Sequence, residues 1–292
     1  MIFRGSGVAL VTPFTENGVA FDTLEQLVEF QIENGTDALI ACGTTGEPST
    51  MTDEEQRSVI DCVVKTAAGR VPVIAGVGGN NTAHVIACAK AAQDVGASAL
   101  LAVTPYYNKC TNAGLIAHFN ALADSTDLPV ILYNVPSRTG VNICPAVYES
   151  LCCHDRIAGI KEASGNISQI VEVARLIRGK AALYSGNDDQ VVPLLSLGGD
   201  GVISVLANIM PRYVHNMVTS YLEGKTEAAR DMQLEINPMI SALFSEVSPI
   251  PVKTALRVMG FNMGPLRLPL TEMDGKTYEN LLVQMRRFGL CE

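Results

Sequence analysis

Lys161 closes a short apolar run, Ile157-Ala-Gly-Ile-Lys161-Glu162-Ala-Ser164. An ammonium buried there without a partner costs several kcal/mol. The usual escape is a lowered pKa that leaves the amine neutral. A neutral lysine amine is a nucleophile that forms Schiff bases with carbonyl compounds; the ordinary alternative is a side chain that snorkels to solvent at a strand end. Thr44 and Thr45 stand in Cys42-Gly43-Thr44-Thr45-Gly46-Glu47. The flanking glycines there let backbone N–H groups approach an anion, or a threonine simply caps a turn. Tyr133 ends another apolar run, and Arg138 follows on the next loop. Arginine captures carboxylates bidentately or pairs at the surface. Tyr106 and Tyr107 form a loop pair suited to a site or to a subunit contact. An amine nucleophile, a phenol, hydroxyls and a guanidinium together suit a Schiff-base aldolase. Tyr133, Thr44 and one of Tyr106 or Tyr107 would move the protons. The iminium is its own electron sink, so neither a metal nor an organic cofactor is expected.

The elements that must hold these groups repeat in a simple rhythm. Apolar runs at 7–11, 38–41, 71–75, 99–103, 130–133, 157–160, 182–184 and 201–204 alternate with helix-length stretches at 22–34, 53–68, 82–95, 112–125, 145–153, 166–178 and 188–197. Thr52-Asp-Glu-Glu55 is a capping box, and Gly35, Gly69, Gly96 and Gly179 follow helices where a C′ glycine is expected. Continuously apolar strands alternating with helices imply a parallel sheet covered on both faces. Eight such units predict an α/β fold of the closed (β/α)8 TIM-barrel type. A Rossmann sheet is disfavoured, because Val11-Thr-Pro-Phe-Thr15 is no glycine-rich turn and Gly76-Val-Gly-Gly79 lacks the third glycine. After residue 204 the pattern turns helical, at 210–224, 226–244, 251–259 and 276–288. Residues 1–224 are therefore expected to form the barrel and 225–292 a C-terminal helical appendage. Barrel enzymes carry their chemistry at strand C-termini. Of the eight lysines only Lys161 falls at one; the nearest rival, Lys253, is expected at a helix start outside the barrel.

Composition narrows the function further. Hydrophobic residues make up 48% and charged residues 17%, which fits a sizeable core. No apolar run approaches the ~20 residues that span a bilayer, and the N-terminus lacks a signal-peptide layout. A cytoplasmic location is expected, with no membrane partner. The net charge of -9 argues against nucleic acid but leaves an anionic small substrate open. The eight cysteines show no C-x-x-C and sit singly or adjacent in apolar patterns, as reduced core residues do. His84 and Cys88 could share a helical face, but without a third ligand they are a weak zinc signal.

Gly43-Thr-Thr-Gly-Glu47, Tyr133-Asn-Val-Pro-Ser-Arg138-Thr-Gly140, Gly159-Ile-Lys161-Glu-Ala-Ser164, Ser185-Gly-Asn-Asp-Asp189, Gly201-Val-Ile-Ser-Val-Leu-Ala-Asn208 and Leu266-Arg-Leu-Pro269 run the length of the chain. Through them the sequence resembles the dihydrodipicolinate synthase family, within the wider N-acetylneuraminate lyase group. The resemblance implies a Schiff base between Lys161 and pyruvate, whose enamine attacks L-aspartate 4-semialdehyde. The product would be 4-hydroxy-tetrahydrodipicolinate, for diaminopimelate and lysine synthesis. It further implies a proton relay of Tyr133, Thr44 and Tyr107, with Tyr107 supplied by a neighbouring subunit. Thr45 would hold the pyruvate carboxylate and Arg138 the semialdehyde carboxylate, with Gly186 and the Ile203 carbonyl lining the pocket. A homotetramer, a dimer of tight dimers, is the implied assembly.

The group also contains lyases for sialic acid and 2-keto-3-deoxy sugar acids, and Arg138 argues against those, since a sugar site wants hydroxyls and amides at that point. A non-catalytic barrel is argued against by the intact Lys161, Tyr133 and Thr44. A regulatory lysine site is implied at Ser49, Asn80, His84 and Tyr106. Family members that lysine inhibits carry His and Glu where this chain has Gln56 and His84. Exchanging a carboxylate for an imidazole removes a charge-assisted hydrogen bond to an ammonium, worth ~1.5–3 kcal/mol. Lysine feedback is therefore expected to be weak or absent. An inhibition curve with a micromolar-to-submillimolar midpoint contradicts this.

Overall fold

The computed structural model describes residues 2–292. Its sheet is a closed barrel of eight parallel strands in sequential order. They are β1 (Gly5–Ala9), β2 (Ala38–Ala41), β3 (Val73–Gly76), β4 (Ala99–Val103), β5 (Val130–Asn134), β6 (Ile157–Glu162), β7 (Ala182–Ser185) and β8 (Gly201–Ser204). Pairing of β1 with both β2 and β8 closes the ring. The Asn208 side chain secures that seam, donating to the Ala9 carbonyl (2.8 Å) and accepting from the Val11 amide (3.1 Å).

The helices α1 (Phe21–Glu33), α2 (Asp53–Ala67), α3 (Thr82–Asp94), α4 (Asn112–Asp124), α5 (Pro145–Leu151), α6 (Ile167–Ile177) and α7 (Val191–Leu195) follow the first seven strands, and α8 (Pro211–Leu222) follows the last. The expected Thr52–Glu55 capping box starts α2, with both of its reciprocal hydrogen bonds formed. Three more helices, α9 (Thr226–Leu243), α10 (Ile250–Val258) and α11 (Gly275–Arg287), complete the chain.

Side chains alternate across each strand, and this divides the core in two. Ile40, Leu101, Ile131, Tyr133, Tyr184 and Ile203 fill the barrel interior. Leu39, Leu100, Leu132, Ile160, Leu183 and Val202 pack outward into the larger core under the helices. Phe3 stacks on Tyr184 at 4.3 Å between centroids and accepts the tyrosine hydroxyl on its carbonyl at 2.7 Å.

Strand ends differ from the sequence expectation where hydrophobicity does not mark them. The first strand runs from Gly5 to Ala9 instead of 7–11, because the chain stays buried past the strand and through Phe14. The third begins at Val73 instead of 71, since Pro72 has no N–H to donate. The stretch 188–197 splits into a 3-10 turn, Asp188–Gln190, followed by the short α7. A two-stranded hairpin, Phe14–Thr15 with Gly18–Val19, was not foreseen.

Lys253 keeps its expected place at a helix start outside the barrel strands, and its surroundings there are what sequence alone did not reveal. It stands in α10 with its side chain fully buried, and its Nζ lies 2.7 Å from Glu47, whose side chain is equally buried. The same ammonium sits over the Phe14 ring. Burial pulls the amine below the ordinary lysine range, against the opposing pull of Glu47. This pair pins the C-terminal helices to the loop after β2. Removing one member of a buried pair typically costs ~3–5 kcal/mol, whereas apolar replacement of both is often neutral. Lys253→Met should lose stability in that range by urea unfolding, and Glu47→Met combined with Lys253→Met should recover much of it.

Candidate active site

The period of two along β6 decides what Lys161 can do. In the register of the sheet Lys161 lies opposite Tyr133 on one side and Tyr184 on the other. Both tyrosines belong to the interior layer, so Lys161 points into the barrel. Only 5% of the residue is exposed, and its Nζ lies 4.3 Å from the centroid of the Tyr133 ring. The snorkelling alternative is excluded. Burial drives the amine down to about 7, with Asp188 pulling it back up and Arg138 lowering it further. A sizeable fraction of the side chain is thus a neutral nucleophile near neutral pH.

Its neighbours hold the amine in place. Gly186 must be glycine, because a Cβ there would lie 2.7 Å from the Ala163 Cβ and 3.1 Å from the Lys161 Cε. Glu162, the next residue along β6, points the opposite way and is buried. It accepts from the Asn134 amide at 3.1 and 3.2 Å, from the Tyr148 hydroxyl at 3.1 Å and from the Ser164 N–H at 2.7 Å. Tyr148 is held protonated, its pKa pushed up by burial and by Glu162. This network ties the end of β6 to β5 and α5 and so fixes the direction of Lys161.

Asp188 was part of a motif but had no role assigned from the sequence. Its buried Oδ2 accepts the Val205 and Leu206 amides at 3.0 and 2.9 Å, which joins the loops after β7 and β8. Its Oδ1 has no hydrogen-bond partner. Burial raises its pKa, while the Ser204 hydroxyl, the Leu206 and Val205 amides and Lys161 lower it. The signal available in the sequence was an acidic pair directly after a strand end.

Burial pushes the Tyr133 phenol up to about 12, and Arg138 opposes that shift. A phenol of that kind stays protonated at neutral pH and can donate. Arg138 lies on the short helix Pro136–Thr139 and donates from Nη2 to the Ser248 carbonyl at 3.2 Å. The contact uses a main-chain atom of Ser248, so it does not depend on which side chain stands there.

Thr44 and Arg138 line a cleft of about 520 Å³, together with Ser49, Asn80, His84 and Tyr106. Lys161 and Tyr133 are not on its walls. Thr45 is buried in the 3-10 turn Thr44–Gly46. The Gly46 and Glu47 amides bond back to the Gly43 and Thr44 carbonyls, so those two donors are committed to the turn and are not open to an anion. Gly76, on the same cleft, leaves no room for a side chain: a Cβ would lie 2.1 Å from the Cys42 carbonyl oxygen. Ile203 is fully buried in the barrel interior. Tyr107 is not brought to Lys161 within the chain; it is 91% exposed. Cys42, Glu47, Tyr107 and Lys109, all on the loops after β2 and β4, hold left-handed φ values of 55°, 56°, 68° and 55°. Non-glycine residues so placed cluster at functional sites.

With a rigid barrel, a buried strand-end lysine and a cleft at the mouth, comparison with known proteins is decisive. The dihydrodipicolinate synthetase family model matches residues 2–287. The chain belongs to that family. It is 57% identical to the 4-hydroxy-tetrahydrodipicolinate synthase of Thermoanaerobacter sp. (strain X514), covering all of this chain and 98% of the relative. The synthase of Clostridium tetani is 54% identical over 100% of this chain and 99% of its own length. Among solved structures, the dihydrodipicolinate synthase of Thermotoga maritima superposes with a TM-score of 0.97 at 41% identity, covering 99% of this chain and 100% of that one. The resemblance read from the motifs is therefore correct, and the eight-stranded barrel is the one this family shares.

The Lys161 environment makes a pH prediction. The reactive amine fraction should rise with pH through about 7, so borohydride trapping of pyruvate on Lys161 should follow a titration centred there. Asp188 favours the ammonium, and Asp188→Asn should move that midpoint to lower pH. A midpoint near the ordinary lysine value of 10.5 would refute the account.

Proposed function

We propose that this chain condenses pyruvate with L-aspartate 4-semialdehyde to give 4-hydroxy-tetrahydrodipicolinate, through a Schiff base on Lys161. The observation that carries the reading is the desolvated Lys161 amine, lowered to about 7 beneath a protonated Tyr133, in a chain whose relatives bear that enzyme's name. The neutral amine attacks the C2 carbonyl of pyruvate and water leaves, giving an iminium. Loss of a C3 proton gives the enamine, with the iminium taking up the electron pair. The enamine carbon then attacks the aldehyde, forming the new C–C bond, and the aldehyde oxygen takes a proton. Attack of the substrate's own amino group on the iminium closes the ring and frees Lys161.

In this reading Tyr133 delivers and recovers protons, and Thr44 relays them toward the cleft. Thr45 holds the pyruvate carboxylate, Arg138 that of the semialdehyde, and Gly186 with the Ile203 carbonyl borders the bound pyruvate. Tyr107 completes the relay from a neighbouring subunit, which requires at least a dimer and fits a homotetramer built from two tight dimers. Its exposure and left-handed backbone support a residue held out toward a partner. Residues 1–224 would carry the catalysis and 225–292 brace its rim. A cytoplasmic setting fits eight cysteines that are all free thiols, and among the described residues no helix is long and apolar enough to cross a membrane. Arg138 on the cleft wall favours a carboxylate-bearing second substrate over a sugar chain.

Two variants separate the steps. Lys161→Ala should abolish borohydride-trapped pyruvate, with no mass added at residue 161. Arg138→Ala should retain trapping but lose condensation with the semialdehyde by about 10²-fold or more, as expected when a charge-assisted bidentate contact is removed. Trapping on another lysine, or full condensation without Arg138, would overturn the proposal.

A further inference from the structure

Two helix starts meet beside the cleft. Asp53 is the first residue of α2, held by the Thr52–Glu55 capping box. The first turn of α3 is fixed by Asn81, which accepts from the Ala83 and His84 amides at 3.1 and 3.4 Å. His84 and Cys88, four residues apart, share one face of α3. The third ligand missing from the sequence pattern is thus supplied by another helix. The His84 Nε2 lies 3.0 Å from both oxygens of Asp53 and 3.6 Å from the Cys88 Sγ. One carboxylate oxygen, one imidazole nitrogen and one sulfur all fall within 4.8 Å of one another.

We propose that Asp53, His84 and Cys88 form a binding site for a divalent cation of the zinc class. Zinc sits ~2.0–2.2 Å from nitrogen or oxygen and ~2.3 Å from sulfur, and in a tetrahedron those lengths set ligand-to-ligand edges of about 3.3–3.6 Å. The Nε2-to-Sγ separation of 3.6 Å already matches, the Asp53 oxygens lie 3.0 Å from Nε2, and all three ligand atoms fall within 4.8 Å of one another, so side-chain rotation can close the set around one ion. An oxygen, imidazole and thiolate set selects a borderline cation over calcium or magnesium. Charge also balances: the carboxylate and the thiolate offset the two positive charges, and the proton displaced from Cys88 leaves to solvent.

The plainer reading, an exposed His84–Asp53 ion pair, contributes ~0–1 kcal/mol and gives Cys88 no part. Yet its sulfur lies 3.6 Å from the same nitrogen. All three residues line the 520 Å³ cleft that also holds Thr44 and Arg138. With three protein ligands the fourth position is open, as in zinc sites that take water or a small ligand.

Cobalt(II) titration of the metal-stripped full-length protein tests this, because four-coordinate cobalt with a thiolate ligand gives a near-ultraviolet charge-transfer band and intense visible bands. The wild type should bind one equivalent with both features, and zinc should displace it. Cys88→Ser should lose the charge-transfer band, and Asp53→Asn should weaken binding at least tenfold while keeping it. Far-ultraviolet circular dichroism checks that each variant is folded. Absence of the band at one equivalent, its persistence in Cys88→Ser through another cysteine, or unchanged affinity in Asp53→Asn each overturns the site.

Discussion

Everything at the mouth of this barrel depends on keeping one amine out of water. A fall in the Lys161 pKa from 10.5 to about 7 corresponds to roughly 5 kcal/mol of selection against the charged form. Between those values the unfolded chain holds a proton that the folded chain does not. The group therefore costs stability at neutral pH, and costs progressively less as pH rises toward 10.5. For a fold that is only marginally stable that is a large cost, and the proposed Schiff-base role of Lys161 accounts for it. Asp188 limits the cost: its charge pulls the amine back toward neutrality's upper side, so Lys161 is poised near the working pH, where proton transfers in both directions are fast.

Desolvation alone would leave the amine free to swing, and the adjacent residue prevents that. Lys161 faces inward and Glu162 outward, as strand alternation requires. The buried Glu162 carboxylate, satisfied by Asn134, Tyr148 and Ser164, is costly to misplace. Any register slip of β6 would put Glu162 into the barrel and Lys161 under the helices, stranding both charges. One polar network on the outer face thus specifies the orientation of the Lys161 amine on the inner face.

The strand-and-helix rhythm was legible because each element announces itself locally, through a periodic run, a capping box or a C′ glycine. Lys161, Tyr133, Thr44 and Arg138 were legible because the barrel rule converts a strand end into a rim position. Asp188, Glu162 and Glu47 were not, because their importance lies in partners 14 to 206 residues away: Asp188 with Val205, Glu162 with Asn134 and Tyr148, Glu47 with Lys253. The burial of Lys253 stayed hidden for the same reason. Its surroundings along the chain describe a helix start, whereas its burial comes from the loop after β2.

The buried pair of Glu47 and Lys253 bears on how the rim is built. Loops at a barrel mouth gain precision only when something holds them from outside. Here the loop after β2 carries Thr44 and Thr45 and is clamped by Glu47 to Lys253 of α10. The Asp188 carbonyl accepts from Gln233 of α9 at 3.0 Å, and Arg138 is tied to Ser248 just before α10. Three loops that bear candidate site residues are therefore each fastened to the C-terminal helices. Those helices act less as an appendage than as the outer frame of the mouth, and loosening α9 or α10 would blur the site without touching a reacting atom.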